Sequence, residues 1–142
     1  MAATAAPDCI FCRIVGGTIP ASVIHRDDDV IAFMDIGPVN PGHLLVVPTA
    51  HAASLAELGP RDGEKMFGVA HRLADAVRRS GLRCEGINLF LADGAAAGQE
   101  VFHVHLHLVP RFRGDAVRFS WPRSQPSRED LHTHATAIRS AL

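Results

Sequence analysis

The chain of 142 residues lacks tyrosine, has one tryptophan and has only three cysteines. A small, odd number of cysteines argues against a disulfide framework and is typical of the cytoplasm, which is the expected location. No apolar run approaches the roughly 18 residues of a membrane-spanning helix, so no membrane partner is expected. The opening MAATAAPD lacks the basic and apolar regions of a signal peptide, and residues 1–7 are expected to form a disordered lead.

An excess of charge of one sign is also missing. The formal net charge is −1 and no basic run stands out, which argues against a nucleic-acid polymer as the main partner. A small anionic ligand remains compatible with this balance, because it needs only a local site. The length and the 47% hydrophobic content favour a single globular domain over residues 1–142.

The pattern of apolar residues and turn signals predicts an α+β fold. The predicted elements are a short helix at 10–16, strands at 18–25, 30–36, 43–48, 87–91 and 101–110, a long helix at 60–80, and a last helix opened by Ser127. Strands that cluster around one long helix favour an antiparallel sheet.

Both larger helices show apolar residues at three-and-four spacing. Pro60 suits the first turn of the long helix, and Gly81 suits the position after its end. The apolar stripe of the long helix is expected to be core and comprises Met66, Phe67, Ala70, Leu73, Ala74 and Val77. The apolar face of the last helix comprises Leu131, Ala135, Ile138 and Leu142.

The stretch VFHVHLHLVP places histidines at every second position. In a strand, His103, His105 and His107 would share one face, while Phe102, Val104, Leu106 and Leu108 would face the core. Same-face neighbours lie about 6.6 Å apart, whereas zinc binds nitrogen at about 2.0–2.1 Å. One straight strand can therefore offer one or two of these imidazoles to a metal. The alternative is a half-buried structural strand whose histidines lie on its more solvent-exposed face. Three histidines in strict alternation favour a functional role instead.

The pair Cys9 and Cys12 has the spacing of two ligands to one zinc ion, which then needs two more. Cys84 stands alone, so the remaining ligands would come from the nine histidines. A thioredoxin-like redox motif is a rival interpretation, but the pair does not lie between a strand and a helix of a βαβ unit. Chance placement is the other alternative.

The segment DGAAAGQ, residues 93–99, is rich in small residues. Such a loop lets backbone N–H groups approach an anion closely, although a plain hairpin loop has the same composition. Gln99 lies four residues before His103, so the histidine strand begins at a possible phosphate loop.

In this order of motifs the sequence resembles the histidine triad (HIT) family. The resemblance is carried by CIFCRI, IPASVIHRDDDVIAFMDI, NPGHLLVVPTAHAASL, GAAAGQEVFHVHLHLVPRF and the SWP segment, which together span most of the chain. It implies an antiparallel sheet with helices packed on it, and a homodimer whose sheets join across the interface.

The resemblance also implies a purine nucleotide hydrolase or nucleotidyl transferase of the nucleoside phosphoramidase type. His105 would attack the α-phosphorus and form a covalent nucleotidyl-histidine, which water then cleaves. His107, the amide of Gln99 and backbone N–H groups of the loop, including that of Gly98, would hold the phosphate. Alternatives are a dinucleoside polyphosphate hydrolase, with which Pro110-Arg111 is compatible, and a nucleotide-binding sensor or adaptor with little turnover. The third alternative is a zinc-stabilised protein that has no nucleotide-related function.

The remaining site residues also follow from the resemblance. Structural zinc would be held by Cys9, Cys12, His51 and His103. Asp35 would bond the ribose, and the base would be walled by Ile10, Phe11, Ile14, Phe33 and Ile36, each of which could equally be ordinary core. Many relatives carry Asn where this chain has Ala92, so either Asn88 or Asp93 compensates, or turnover is weak. No role follows for His25, His43, His71, His132 or His134.

Overall fold

The computed structural model describes residues 5–142, and residues 1–4 of the predicted lead lie outside them. Its elements are α1 (Ile10–Val15), β1 (Val23–Arg26), β2 (Val30–Met34), β3 (Leu44–Pro48), α2 (Pro60–Arg79), β4 (Gly86–Phe90), β5 (Leu106–Arg111) and α3 (Arg128–Ser140). The strands form one antiparallel sheet in the order β1-β2-β3-β5-β4, which confirms the predicted fold class. Among the described residues, no helix combines the length and apolarity needed to cross a membrane.

Helix α2 covers one face of the sheet. Pro60 occupies its first turn, and Gly81 follows its end with φ +86°, as predicted. Its buried residues, Met66, Val69, Ala70, Ala74 and Val77, join the core formed with β2, β3 and β5. Phe67, predicted to be core, is 61% exposed, because it lies about 100° around the helix axis from Met66 and points past the sheet.

The opposite face of the sheet packs against α1. Phe11 and Ile14 of the helix form a second core cluster with Ile31, Phe33, Leu45 and Val47 of β2 and β3. The central strand β3 is therefore buried on both faces. The segment before β1 remains irregular, and β1 is shorter than the predicted strand 18–25, because the N–H groups of Thr18 and Ile19 donate to Arg13 O instead of pairing in the sheet.

The predicted strand 101–110 is wrong in its first half, because β5 begins only at Leu106. The backbone N–H of Val104 donates to Ala52 O at 2.8 Å, and the carbonyl of His103 accepts from the His105 ring, so these groups are not free for a ladder. From Val104 onward the predicted alternation of faces is confirmed. Phe102, predicted to be core, lies in the irregular segment and is 51% exposed.

Helix α3 begins where predicted. Ser127 caps it through a reciprocal capping box with Asp130. None of its residues is buried, and the apolar face that includes Leu131 and Ile138 is exposed. The packing of helices on the sheet that the family resemblance implies is therefore seen for α1 and α2.

Candidate active site and metal cluster

A cavity of about 530 Å³ opens between α1, the sheet and the loop before β5. Nine residues predicted to bind nucleotide line it: Ile10, Phe11, Ile14, Phe33, Asp35, Ile36, Gly98, His105 and His107. Residues that sequence reasoning did not assign also line it: Ile19, Pro20, Ala21, Met34, Leu45, Phe90, Glu100 and Val101, together with Ala92. Asn88 and Gln99 do not line this cavity.

The hydrogen bonds of His105 determine which of its ring nitrogens is protonated. Nδ1 lies 2.8 Å from the carbonyl oxygen of His103, and a carbonyl can only accept, so Nδ1 carries the proton. Nε2 is then left with its lone pair. The ring is buried, lines the cavity, and meets the Phe11 ring edge-on at 5.1 Å. His105 therefore presents an unprotonated nitrogen from a fixed ring.

A chain of hydrogen bonds fixes the tautomer of His107 in the same way. The backbone N–H of Val39 donates to His43 Nδ1 at 3.1 Å, so the proton of the neutral His43 ring lies on Nε2. His43 Nε2 donates to His107 Nδ1 at 2.9 Å, which leaves the proton of His107 on its Nε2. His107 is thus a hydrogen-bond donor toward a ligand. The proton on His43 Nε2 also leaves that nitrogen without a lone pair for a metal ion.

Burial keeps both of these histidines neutral. It lowers the pKa of His107 to about 4, with further lowering by His105 and His43. Burial also lowers the pKa of His43, although the carboxylate of Asp35 opposes that shift. Asp35 Oδ2 lies 3.5 Å from His43 Nε2, while Oδ1 accepts from Gly37 N at 2.8 Å. The arrangement derived from hydrogen bonding is therefore the one that prevails near pH 7.

The side chain of Gln99 holds the small-residue loop together. Its Nε2 donates to the carbonyls of Ala53 and Val101 at 2.8 and 3.1 Å, and its Oε1 accepts from Gly94 N at 2.8 Å. All of these bonds lie within the protein, so the amide is not turned to the cavity. Gly98, at φ +89°, does line the cavity, and its backbone requires the conformational freedom of glycine.

Ala92, at a position where the family resemblance leads us to expect Asn, is buried and lines the cavity. Neither expected substitute faces that space. Asp93 Oδ1 accepts from Leu55 N at 2.9 Å, and Asn88 Oδ1 accepts from Arg111 Nη1 at 2.8 Å. In this arrangement the position offers the ligand a methyl group and no side-chain donor.

The four predicted metal ligands come together beside this cavity. Their ligand atoms all lie within 4.8 Å of one another. His103 Nδ1 is 3.4 Å from Cys9 Sγ, 3.6 Å from Cys12 Sγ and 3.2 Å from His51 Nδ1, and Cys12 Sγ is 3.4 Å from His51 Nδ1. A tetrahedral ion with zinc's bond lengths of about 2.0–2.3 Å requires separations of this size.

The surroundings of the cluster suit a cation. Nε2 of His103 donates to Pro48 O at 2.8 Å, so Nδ1 is unprotonated and turned toward the two sulfurs. Burial raises the pKa of the Cys12 thiol, so a nearby cation is needed to hold the thiolate form. Cys9 caps the first turn of α1 and Cys12 lies one turn later, which places both sulfurs on one side of the helix.

The chain is similar to known proteins in both sequence and fold. The family model of the HIT domain matches residues 16–114. A HIT family protein from Bacillus anthracis is 36% identical, with a TM-score of 0.90 and coverage of 96% of this chain and 99% of that one. A Zn-bound histidine triad family protein from Mycobacterium smegmatis is 40% identical, with a TM-score of 0.76 and coverage of 95% and 98%. Adenylylsulfatase HINT3 from Arabidopsis thaliana is 32% identical over 87% of this chain and 61% of its own length.

The matched region contains the whole sheet, the small-residue loop and the three histidines of HVHLH. Together with the shared fold, this match identifies the chain as a member of the HIT family, whose proteins are nucleotide-binding hydrolases and transferases.

Proposed function

We propose that the protein is a purine nucleotide hydrolase of the nucleoside phosphoramidase type, which acts through a covalent nucleotidyl-His105. Members of the HIT family are typically hydrolases, and the relative from Arabidopsis thaliana is named an adenylylsulfatase. The observation that carries the proposal is the fixed tautomer of His105, whose Nδ1–H is bonded to His103 O. A neutral imidazole with a bare Nε2 is a nucleophile that needs no separate base.

The apolar wall of the cavity is where the purine would lie. Phe11 and Phe33 pack edge to face at 5.5 Å, and Ile10 and Ile14 of α1 line the same side. Asp35 lies at this side with one carboxylate oxygen directed to His43, and we assign it to the ribose hydroxyls. The α-phosphate would then lie over His105 and His107, whose ring centroids are 4.9 Å apart.

The chemistry proceeds in two displacements. In the first, Nε2 of His105 bonds to the α-phosphorus and the bond from phosphorus to the leaving group breaks. The leaving amine takes a proton from water in the open cavity, while His107 Nε2–H holds a phosphate oxygen. In the second, water attacks the same phosphorus and the bond from phosphorus to Nε2 breaks. The proton that this water releases neutralises the hydroxide left by the first step, and His105 returns to the neutral form with its proton still on Nδ1.

The metal cluster has a separate, structural role in this proposal. We infer that Cys9, Cys12, His51 and His103 hold one zinc ion, supported by their donor set and mutual distances and by the Zn-bound relative. When bound, the ion would tie α1 to the segments before α2 and β5. His103 is then a ligand, whereas His105 and His107 face the substrate.

We also propose a homodimer whose sheets join across an edge. Strand β4 is an edge strand of the sheet, and its Leu89 and Phe90 are exposed. Sedimentation equilibrium at micromolar concentration should give a mass near twice that of the 15.2 kDa chain. A mass of one chain would contradict this part of the proposal.

The experiment that tests the function compares three single variants on an adenosine phosphoramidate. His105→Ala should abolish turnover while nucleotide affinity stays nearly unchanged, because the base and ribose contacts lie elsewhere. His107→Ala should slow turnover by roughly 10²–10³-fold, as expected for loss of one hydrogen-bond donor to the reacting phosphate. His71→Ala, on the exposed side of α2, is the matched control and should keep the parent rate. Parent-like turnover by the His105 variant would overturn the proposal.

A further inference from the structure

We propose that Glu100 is a specificity-determining residue that selects ligands by the charge on their α-phosphate group. A phosphate with one negative charge, as in a phosphoramidate or a phosphodiester, is bound in preference to the dianion of a nucleoside monophosphate. The proposal rests on the proposed function, because it names the class of ligand for the same site. Its starting point is the charge on the wall of the cavity.

The wall of the cavity carries negative charge and no cation. Of the residues that line it, Asp35 and Glu100 are acidic, and none is lysine or arginine. The His107 donor is neutral near pH 7, because its proton lies on Nε2 and burial lowers its pKa to about 4. His105 presents a bare nitrogen. Two carboxylates therefore act on a bound phosphate, and only neutral hydrogen-bond donors of the lining residues offset them.

Glu100 lies at the phosphate end of this wall. It is placed between Gly98 and Val101, which line the same cavity, and the loop that holds it leads into the nucleophile His105. Its side chain is exposed, so it lies where the cavity opens to solvent. The ion pairs of the described residues all join other side chains, so none of their cations neutralises the Glu100 carboxylate.

The size of the cavity sets the range over which this charge acts. A round space of about 530 Å³ is about 10 Å across, so a charge on its wall lies within about one Debye length of a phosphate inside it at an ionic strength of about 0.1 M. At a separation of about 7 Å and an effective dielectric constant of about 40–80, the Glu100 charge raises the dissociation constant about two- to sevenfold for each negative charge on the ligand.

The proposed reaction changes the charge on this phosphate. The phosphoramidate substrate carries one negative charge, whereas the released monophosphate carries close to two near pH 7, because the second pKa of a phosphate monoester is about 6. Glu100 therefore repels the product about twice as strongly as the substrate, in free energy, and favours its release. A ligand with a chain of phosphates meets the same repulsion.

The test measures the binding of three ligands that form a charge series. Adenosine, adenosine 5′-O-methylphosphate and AMP carry about zero, one and close to two negative charges at pH 7.5. Glu100→Gln keeps the shape of the side chain and removes its charge. Isothermal titration calorimetry should show no change in the dissociation constant of adenosine, a decrease of about two- to sevenfold for the methyl ester, and a decrease for AMP by about the square of that factor.

A matched variant and added salt separate charge from other effects. Glu64→Gln removes the same charge from an exposed position on α2, which covers the other face of the sheet, and should change none of the three constants. An ionic strength of about 1 M, where the Debye length is about 3 Å, should shrink the effect of Glu100→Gln. An equal change for all three ligands, or no change for AMP, would overturn the charge selection alone. Failure of all three ligands to bind the unaltered protein would overturn the proposed function and the charge selection with it.

Discussion

His43 determines which nitrogen of His107 carries the proton, although its position in the sequence assigns it no role. It directly precedes β3, and Leu45, on the same strand face, pairs with His107 of β5. The contact therefore depends on a pairing between segments more than 60 residues apart. The alternation of His103, His105 and His107 is local and could be recognised from sequence. The contact of His43 with His107 could be recognised only once β3 and β5 are known to be adjacent.

We predict that the single residue His43 acts as a positioning residue for His107. His43→Leu removes the donor to His107 Nδ1, so His107 no longer has a fixed tautomer. The kcat should fall, by up to the roughly 10²–10³-fold that loss of the His107 Nε2–H donor itself costs. His43→Gln keeps an N–H near the position of Nε2 and should recover part of the loss. Single-turnover measurement of adduct formation on the two variants checks this. Equal rates for the Leu and Gln variants would contradict the positioning role.

Some helix and strand boundaries follow from sequence signals within the element itself, and others depend on contacts with distant parts of the chain. Helix α2 was predictable to within one residue at its end, because Pro60, Gly81 and the apolar stripe are all signals within the helix itself. The start of β5 was not predictable from local signals, because it depends on a hydrogen bond between Val104 N and Ala52 O. Likewise, capping of α3 by Ser127 could be predicted from sequence, but the exposure of its apolar face could not.

The segment after β5 is held by an ion pair that makes a prediction about acid stability. Asp115 is buried and accepts from Arg111 Nε and Nη2 at 2.7 and 2.8 Å, and from Asn40 Nδ2 at 2.9 Å. The Arg111 guanidinium holds the pKa of the Asp115 carboxyl well below its usual range, and the N–H of Phe112 and the Asn40 amide lower it further. The pair thus links the segment after β5 to the loop before β3 that contains Val39 and His43.

Because the folded pKa is depressed, this contribution to the free energy of unfolding is complete above the unfolded pKa of about 3.9 and is lost as pH falls below it. Asp115→Asn should therefore be less stable than the unaltered protein at pH 7, and the difference should shrink between pH 4 and pH 2. Urea unfolding at successive pH values measures it. Asp75→Asn, which breaks an exposed pair with Arg79, is the control and should show little difference at any pH. A constant gap for Asp115→Asn down to pH 2 would contradict this assignment.

Across the whole molecule, the four metal ligands connect parts of the chain that no single motif contains. Cys9 caps α1 and Cys12 lies within it, His51 follows β3, and His103 precedes β5. The spacing of the two cysteines pointed to a metal, but the two histidines followed from the family resemblance, because nine histidines leave many possible pairs. The fold brings these four to mutual distances that suit zinc.

We predict one zinc ion per chain in protein purified without chelator. Because the binding energy of a structural zinc becomes folding energy, Cys12→Ser should lose the metal and lower Tm by on the order of 10 °C. Cys84→Ser removes the cysteine that lies outside the cluster and should keep both zinc and stability. Elemental analysis that finds no zinc, with Cys9 and Cys12 titrating as free thiols, would contradict the assignment.

The most direct measurement of the central claim is mass spectrometry of the enzyme quenched during turnover of an adenosine phosphoramidate. His107→Ala, in which release of the adduct is slowed, should accumulate one adenylyl group per chain, and peptide mapping should place it on His105. The double variant His105→Ala/His107→Ala should carry none. A protein that turns over substrate without any adduct, or with the adduct on another residue, would contradict the account.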